Sequence, residues 1–486
     1  MEKSITKNAA FKGILNLFNI ILPIMVTPLV SRSIGKNLYG FIGYGDSLTQ
    51  YFLIFASFGV YNYGLREISK VREDKNKLQR TFTSLFLFTT FTNIVTTLVY
   101  VLYTIFTMKN DPAFYTCLVM GLNIVFNLFY VEWVNEALEN YDFIAVKTMV
   151  VRIVYSALIL LFVRNTDDYL FYLYVLVIFN FINNIISFIY VKRTIKFVFK
   201  DLHFLKHIKP MFYAAILSST ALLYTQLDKI MLKPVGTTEV GFYYMAQRIV
   251  TIISTLMLTV IQVTMPRLSN YLGNDSKSEY LKLLKKVIKI YFLFLFPVSI
   301  GLCCLSKEAM VIFASSEFLP AVPVLAVFSI HMLCTGIESV IAQQIIYLHR
   351  REKKDTVLVL IGGVINLILN GALLYLGMLT TVSAIVTTLI ANVIILILEY
   401  RMVLCDIKLD IKLFSFENMK YLIYSIPFIP ITLAIKFLIK NMIISCFIQV
   451  ISCVILYLLI LIIRKDELFI ELSGVIIRKI KSKIGK

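Results

Sequence analysis

The sequence predicts an all-α integral membrane protein with about 14 transmembrane helices. Three observations lead to this fold class. Of the 486 residues, 59% are hydrophobic and only 16% are charged, and the mean hydropathy is +0.81. A soluble chain of this length would need a larger charged surface. The apolar runs are long enough to cross a bilayer, and short basic segments separate them.

The formal net charge of +19 does not indicate a nucleic-acid-binding protein. The basic residues occur in blocks between the apolar runs, where they act as signals of membrane topology. The seven cysteines lie mostly inside apolar runs and lack both metal-ligand spacing and the pattern of a disulfide framework. We therefore expect no nucleic-acid partner, no cofactor and no metal.

The first apolar run covers residues 14–30, after a polar and basic start. It contains Pro23 and Pro28 and lacks a cleavage site of small residues, so we interpret it as a retained transmembrane helix and not as a signal peptide. The later predicted helices are, in order, residues 40–63, 82–108, 112–134, 146–163, 169–191, 211–232, 240–265, 287–305, 319–348, 356–376, 380–400, 419–438 and 442–463.

The connectors predict the orientation of the chain. The segment GLREISKVREDKNKLQR after the second helix is amphipathic and carries six basic residues. KRTIKFVFKDLHFLKHIKP follows the sixth helix, and the chain ends in the basic tail RKIKSKIGK. Because cytoplasmic connectors carry an excess of Lys and Arg, both termini are predicted to be cytoplasmic. No connector is long enough for a separate soluble domain.

A repeated pattern predicts that the chain is duplicated. Six residues recur at the same offset of 201 positions: Arg32, Ile34, Gly35, Gly40, Phe41 and Arg66 match Lys233, Val235, Gly236, Gly241, Phe242 and Arg267. The offset spans six predicted helices, an even number, so both copies cross the membrane in the same direction. We predict an N-terminal six-helix bundle at 1–200 and a second at 201–405. Helices 13 and 14 and the basic tail follow at 406–486.

Several strings resemble a known family. The first hairpin, with Gly35 and Tyr39-Gly40-Phe41, precedes GLREISKVREDK, and LDKIMLKPVGTTEVGFYYMAQRI and MPRLS follow in the second half. Together they resemble the Wzx-type oligosaccharide flippases of bacterial surface polysaccharide pathways. That family belongs to the MATE-like superfamily, which also contains MATE drug exporters and the lipid II flippase. The resemblance covers nearly the whole chain.

The resemblance implies translocation of undecaprenyl-pyrophosphate-linked oligosaccharide repeat units, such as those of O-antigen or capsule. The units would move from the cytoplasmic to the outer leaflet of the bacterial cell membrane through a cavity between two helical bundles. The implied partners are this lipid-linked substrate and membrane lipids, with other proteins of the polysaccharide pathway as further candidates. We expect a monomer.

Three basic residues are candidates for the pyrophosphate. A cation inside a transmembrane helix costs about 2.5–3.5 kcal/mol on insertion scales, so Arg248 is a functional candidate. Its guanidinium suits bidentate phosphate binding, with a salt bridge or a headgroup contact as the alternative. Lys229 is predicted to face the cavity or to fix the depth of its helix. Arg32 would attract anions at the outer mouth or reach lipid headgroups.

Polar residues in the same helices are candidates for the cavity or for energy coupling. Asp228 precedes Lys229, so the two side chains point about 100° apart on a helix, and Asp228 would brace Arg248 or another cation. Glu338 and Asp46 are carboxylates inside helices that would take up a proton, with pairing to Arg32 or Arg248 as the alternative for Asp46. The amides of Gln226 and Gln247 suit a sugar.

One pair of arginines and one pair of histidines are the remaining residues of interest. Arg66 and Arg267 occupy equivalent positions in the repeat at the cytoplasmic ends of their helices, where they would gate the path or anchor to anionic lipid. His203 and His207 have i, i+4 spacing on a basic connector, but a third ligand is missing, so we interpret them as a solvated face.

Three other functions are open to such a chain. A drug or cation antiporter of the same fold would favour a carboxylate in the first helix, and the sequence has none between Lys12 and Arg32. A polysaccharide polymerase or membrane glycosyltransferase would need a large outer loop or an acidic cytoplasmic loop, so we do not expect an enzyme. The lipid II flippase is closest in class and stays open.

Overall fold

The computed structural model describes residues 5–200, 202 and 204–474, and every element in these ranges is helical. The α-helices are α1 (Ile5–Ser57), α2 (Val60–Val71), α3 (Lys75–Met108), α4 (Phe114–Phe126), α5 (Glu132–Ala137), α6 (Tyr141–Phe162), α7 (Tyr169–Thr194), α8 (Leu205–Leu232), α9 (Thr237–Gly273), α10 (Lys277–Cys304), α11 (Ser306–Phe313), α12 (Val322–Val340), α13 (Glu352–Tyr375), α14 (Thr381–Cys405), α15 (Phe416–Ser425), α16 (Phe428–Leu438) and α17 (Met442–Ile463).

The predicted fold class is confirmed. Eleven helical stretches in the described part of the chain are long and apolar enough to cross a membrane. They correspond to the predicted helices 3–6 and 8–14. Predicted helix 1 and most of predicted helix 2 lie in α1, the end of predicted helix 2 lies in α2, and predicted helix 7 lies in α8. The basic tail RKIKSKIGK lies outside the described residues.

The connection between the first two predicted helices is a kink, and the loop that we predicted there is wrong. α1 is helical on both sides of Gly35, which alone leaves the helical region, with φ 75° and ψ 171°. Such a positive φ suits glycine, because a side chain would strain the backbone. One residue is therefore sufficient to join the two helices.

The amphipathic connector after the second predicted helix folds mainly as α2. This short helix has Val60, Tyr63 and Ile68 on its buried side. Asp74 caps the start of the next helix, α3, because its side chain accepts hydrogen bonds from the backbone N–H groups of Lys77 and Asn76. These bonds lower the pKa of Asp74, because they stabilise its ionised form.

Gly40 and Gly241 let α1 and the start of α9 touch backbone to backbone. A Cβ atom on Gly40 would lie 1.9 Å from the carbonyl oxygen of Thr237, and one on Gly241 would lie 2.5 Å from that of Lys36. Beside them, Thr238 donates a side-chain hydrogen bond to Asn37. Both pairs, Gly40 with Gly241 and Asn37 with Thr238, are separated by the repeat offset of 201 residues. A two-fold axis through this contact would produce such pairs, and the duplication itself stays a prediction.

Replacing Gly241 with Ala is expected to lower the free energy of unfolding by about 1–3 kcal/mol, because the new methyl group must displace backbone atoms of α1. Thermal unfolding in detergent, followed by circular dichroism, measures the change. Gly363→Ala is the matched control, since no atom lies within 4 Å of a Cβ there. Equal unfolding temperatures for the two variants would contradict the proposed close contact.

Two compact units make up the chain. The first contains residues 1–245, 313–318 and 359–387, and the second contains residues 246–312, 319–358 and 388–486. α9, α13 and α14 therefore each belong partly to both units. The predicted division at residues 200 and 405 separates duplicated segments of sequence. The two compact units do not test it, so it stays a prediction.

Aromatic side chains fill one core of the first unit. Trp133 and Phe82 are buried, and the Phe82 ring stacks on Phe197 at 5.6 Å between centroids. Gly64 lies against the indole, where a Cβ atom would come within 2.5 Å of the ring. This core fixes α2, α3 and α5 together.

The second unit has its own core around α10. Phe292 and Phe296 are buried on this helix, with ring centroids 5.0 Å apart. Tyr280, near the start of the same helix, donates a hydrogen bond of 2.8 Å to the backbone oxygen of Gln344. α12 and α15 pack on α10, so the charged and polar residues of α12 are held on a rigid element.

Candidate functional site

Asp228 lies at the centre of a buried polar cluster in the first unit. Its side chain is 1% exposed near the end of α8, where the carboxylate accepts hydrogen bonds from Tyr243 on α9 and Asn370 on α13. The Asn370 bond is 2.7 Å long. The amide oxygen of Asn370 accepts a hydrogen bond from Thr387 on α14. Residues from α8, α9 and α13 therefore meet at one carboxylate, and α14 joins them through Asn370. All four residues lie in the first unit, and we call them the Asp228 cluster: Asp228, Tyr243, Asn370 and Thr387.

Lys229 is buried beside this cluster but faces another neighbour. Its side chain is also 1% exposed, and its Nζ atom lies 5.0 Å from the centroid of the Tyr244 ring. Tyr243 and Tyr244 thus contact Asp228 and Lys229 respectively, as expected for adjacent residues that point about 100° apart on a helix. Buried charges are costly, and within a membrane protein they are a default indication of function.

The other predicted residues of the first unit have local partners. Gln226 accepts a hydrogen bond from Ser47 at 3.1 Å. Arg32 is exposed, and its Nε donates to the carbonyl oxygen of Ala314 at 2.6 Å. Asp46 is half-buried on α1.

In the second unit, Arg248 and Gln247 lie half-buried on the part of α9 that belongs to this unit. Glu338 lies near the end of α12 and accepts a hydrogen bond of 2.9 Å from the amide of Asn392 on α14. The structure therefore places the predicted polar residues in both units, with the buried pair Asp228 and Lys229 in the first.

Arg66 and Arg267 share a local arrangement. Both are exposed, and each guanidinium lies over a nearby tyrosine ring, 5.4 Å from the Tyr63 centroid and 5.6 Å from the Tyr271 centroid. Exposed cations over aromatic rings suit contact with an anionic surface.

The prediction of a solvated histidine face is wrong at His207. This side chain is 3% exposed, and its Nδ1 atom lies 2.8 Å from the Tyr63 hydroxyl. The polar partner on α2 allows the ring to be buried, and a basic connector does not reveal such a partner in sequence. His203 lies outside the described residues. Among the residues described, no group of three or more His, Cys, Asp or Glu side chains could hold a metal ion.

Sequence reasoning missed a buried ion pair in the first unit. Lys147 on α6 lies 3.0 Å from the carboxylate of Glu132 on α5, and its Nζ also donates to the Ser187 hydroxyl at 2.7 Å. Its side chain is only 3% exposed. The signal was available in the sequence, because Lys147 lies inside the predicted helix 146–163.

Replacing Glu132 with Gln is expected to lower the free energy of unfolding by about 2 kcal/mol, because the Lys147 ammonium loses its charged partner and keeps only neutral acceptors. Thermal unfolding in detergent measures this loss. Glu67→Gln is the control, since Glu67 pairs with exposed cations on α2. Equal stability of the two variants would contradict a structural role for the buried pair.

Sequence comparison identifies the family of the chain. Residues 5–272 match the family model described as "Polysaccharide biosynthesis protein". This match covers more than half of the chain. The chain belongs to this family. A protein of Escherichia coli (strain K12) with the name "Putative O-antigen transporter" is 22% identical over 374 residues, which are 75% of this chain and 89% of that protein.

Solved structures share the fold of this family member. The lipid II flippase MurJ in an inward closed conformation matches with a TM-score of 0.71 at 16% identity, over 95% of this chain and 99% of that one. An inward-facing multidrug resistance MATE family transporter of the MOP superfamily matches with a TM-score of 0.63 at 15% identity, over 81% and 95%. The resemblance to MATE-like flippases is confirmed, and the chain is a multi-pass membrane protein.

Proposed function

We propose that the protein translocates undecaprenyl-pyrophosphate-linked oligosaccharide repeat units from the cytoplasmic to the outer leaflet for surface polysaccharide biosynthesis. The observation that carries the proposal is the buried acid–base pair, Asp228 and Lys229, in a chain of the polysaccharide biosynthesis family. A family member made of membrane helices that keeps ionisable side chains inside them is built to move a polar substrate across the bilayer.

The chemistry of the substrate accounts for the candidate residues. A pyrophosphate carries negative charge, so it requires cations in its path, and we assign this role to Arg248, Lys229 and Arg32. The hydroxyl groups of the glycan require hydrogen-bonding partners, which Gln226 and Gln247 supply. The printed name of the E. coli relative, which refers to O-antigen transport, agrees with this substrate class.

Alternating access between two bundles is the mechanism that we propose. Asp228, Glu338 and Asp46 are the candidates for coupling the cycle to an ion gradient. Arg66 and Arg267 contact the cytoplasmic membrane surface or the inner gate, and both termini are cytoplasmic. The repeat-related contact of Gly40 with Gly241 supports two copies that are arranged about an axis along the membrane normal.

A gene deletion tests the proposed function. Cells of the source bacterium without the gene are expected to lose the surface polysaccharide and to accumulate the lipid-linked repeat unit on the cytoplasmic side. The wild-type gene restores both. A gene with the control substitution Asp111→Asn is expected to restore both as well. Asp111 forms a partly exposed ion pair with Lys233 outside the Asp228 cluster. An unchanged polysaccharide, with no accumulated intermediate in the deletion strain, would contradict the proposal.

Lipid II is the second candidate substrate, and the similarity to MurJ over nearly the whole of both chains favours it. Expression of this chain in cells depleted of their lipid II flippase separates the two functions. Rescue of growth supports lipid II, whereas the proposed function predicts no rescue. A drug antiporter of the same fold would instead raise the tolerated drug concentration in these cells.

A further inference from the structure

Two helices of the second unit carry a row of polar residues that face each other. His331 and Glu338 lie seven residues apart on α12, and Asn392 and Glu399 lie seven residues apart on α14. A spacing of seven residues is two helical turns, so each pair lies on one face of its helix. Asn392 joins the two helices, because its amide donates to Glu338 at 2.9 Å and its oxygen lies 2.8 Å from Nε2 of His331.

This geometry fixes the directions of the hydrogen bonds. Since the Asn392 amide nitrogen donates to Glu338, the Asn392 oxygen is the acceptor toward His331. Nε2 of His331 therefore carries a hydrogen. The row links an imidazole, an amide and a carboxylate inside the second unit.

Glu399 extends the row and is its most unusual member. The side chain is 0% exposed, and neither carboxylate oxygen accepts a hydrogen bond from a donor in the part of the chain that the structure describes. Asp355, near the start of α13, lies within hydrogen-bonding reach of Glu399, and its Oδ1 atom is likewise buried without a donor. Glu399 is completely buried and Asp355 is half-buried. Ionisation of both carboxyl groups at this distance is strongly disfavoured, and a hydrogen bond between them requires a proton.

In the part of the chain that the structure describes, no cation acts on this pair. The ionisable groups that act on Glu399 are Glu338 on α12 and Asp355 on α13, and both are acidic. The nearby cations Lys354 and Arg351 act on Asp406, where the hydrogen bond from Lys354 lowers the pKa of the carboxyl group. The remaining titratable groups along the row are His331 and Cys334 on α12.

We propose that Asp355 and Glu399 share one proton and that, with Glu338, they form a proton-binding site that couples the transport cycle to pH. The inference rests on the proposed transport function. In the loaded state one carboxylic acid O–H donates to the partner carboxylate, and the pair carries one negative charge. Release of that proton to water leaves two negative charges in the same buried site. The second unit must then rearrange or admit water, so the protonation state and the conformation are linked.

Infrared difference spectroscopy of the purified full-length protein tests for the proton. The wild-type spectrum minus that of Glu399→Gln is expected to show the C=O band of a protonated carboxyl group at neutral pH. The wild-type spectrum minus that of Asp355→Asn is expected to show the same band. Glu352→Gln is the matched control, because Glu352 is exposed one turn from Asp355 on α13. Absence of the band from the wild type at neutral pH overturns the proposal, as does loss of the band on addition of sodium chloride.

A second measurement tests the coupling. Proteoliposomes with a pH gradient are expected to transport the lipid-linked oligosaccharide several-fold faster in one direction of the gradient, and Glu399→Gln is expected to lose this response. A Glu399→Gln variant that keeps the wild-type response overturns the coupling role. The infrared band does not depend on transport, so its absence refutes the proton site, whereas failure of all transport refutes the proposed function. If the Gln variant does not fold, the pH titration of the wild-type band decides the question.

Discussion

Replacement of Asp228 with Ala is expected to abolish transport and to destabilise the protein. The substitution removes the acceptor used by Tyr243 and by Asn370, and each buried donor that loses its partner costs about 1–3 kcal/mol. It also removes the negative charge next to the buried Lys229. Because α8, α9 and α13 meet at this carboxylate, and α14 is linked to it through Asn370, we expect the arrangement of the first unit around it to change.

Asp228→Asn separates the two effects, because an amide keeps the shape and one acceptor. We expect this variant to remain folded and to lose transport by at least about tenfold, since the charge is absent. Asp111→Asn, the same substitution in a partly exposed pair, is expected to change transport little. The measurements are surface polysaccharide per cell, corrected for the amount of protein in the membrane. Full transport by Asp228→Asn would show that the charge has no role.

Replacement of Arg248 with Ala is expected to lower transport by at least about tenfold, because a guanidinium–phosphate contact provides two charge-assisted hydrogen bonds. Arg248→Lys keeps the charge but not the paired donors, so we expect an intermediate rate. Arg72→Ala is the control, since Arg72 forms an exposed pair with Glu139. The lipid-linked intermediate is expected to accumulate in the Ala variant.

Normal surface polysaccharide in a well-expressed Arg248→Ala variant would remove this residue from the proposed path. A deficit of the same size in Arg72→Ala would point to an effect on folding or insertion into the membrane. The order Arg, Lys, Ala in decreasing activity is the result that supports phosphate recognition.

Much of the fold was predictable from sequence because the membrane imposes strong local rules. A segment that crosses a bilayer must be apolar over its whole length and must satisfy its backbone hydrogen bonds internally. The predicted boundaries of the last helix, residues 442–463, therefore coincide with those of α17. The kink at Gly35 escaped prediction because a single glycine in a basic and polar stretch has the same local sequence as a short loop.

The candidate site was less predictable because its contacts join distant parts of the chain. Asp228 stood out as a charge at the end of an apolar run, but its partner Asn370 lies 142 residues away. Hydrophobic periodicity carries no information about such a pairing. Glu399 lies at the end of the predicted helix 380–400 and is not among the candidates from sequence, whereas packing buries it completely.

Reconstitution of the purified protein tests the central claim most directly. Liposomes that contain undecaprenyl-pyrophosphate-linked oligosaccharide in both leaflets are treated from outside with a glycosidase that cleaves the glycan. Without protein, only the outer-leaflet share is accessible. The account predicts that wild-type protein makes the whole pool accessible and that Arg248→Ala slows this process. Cleavage that stops at the protein-free level in the presence of folded wild-type protein would contradict the account.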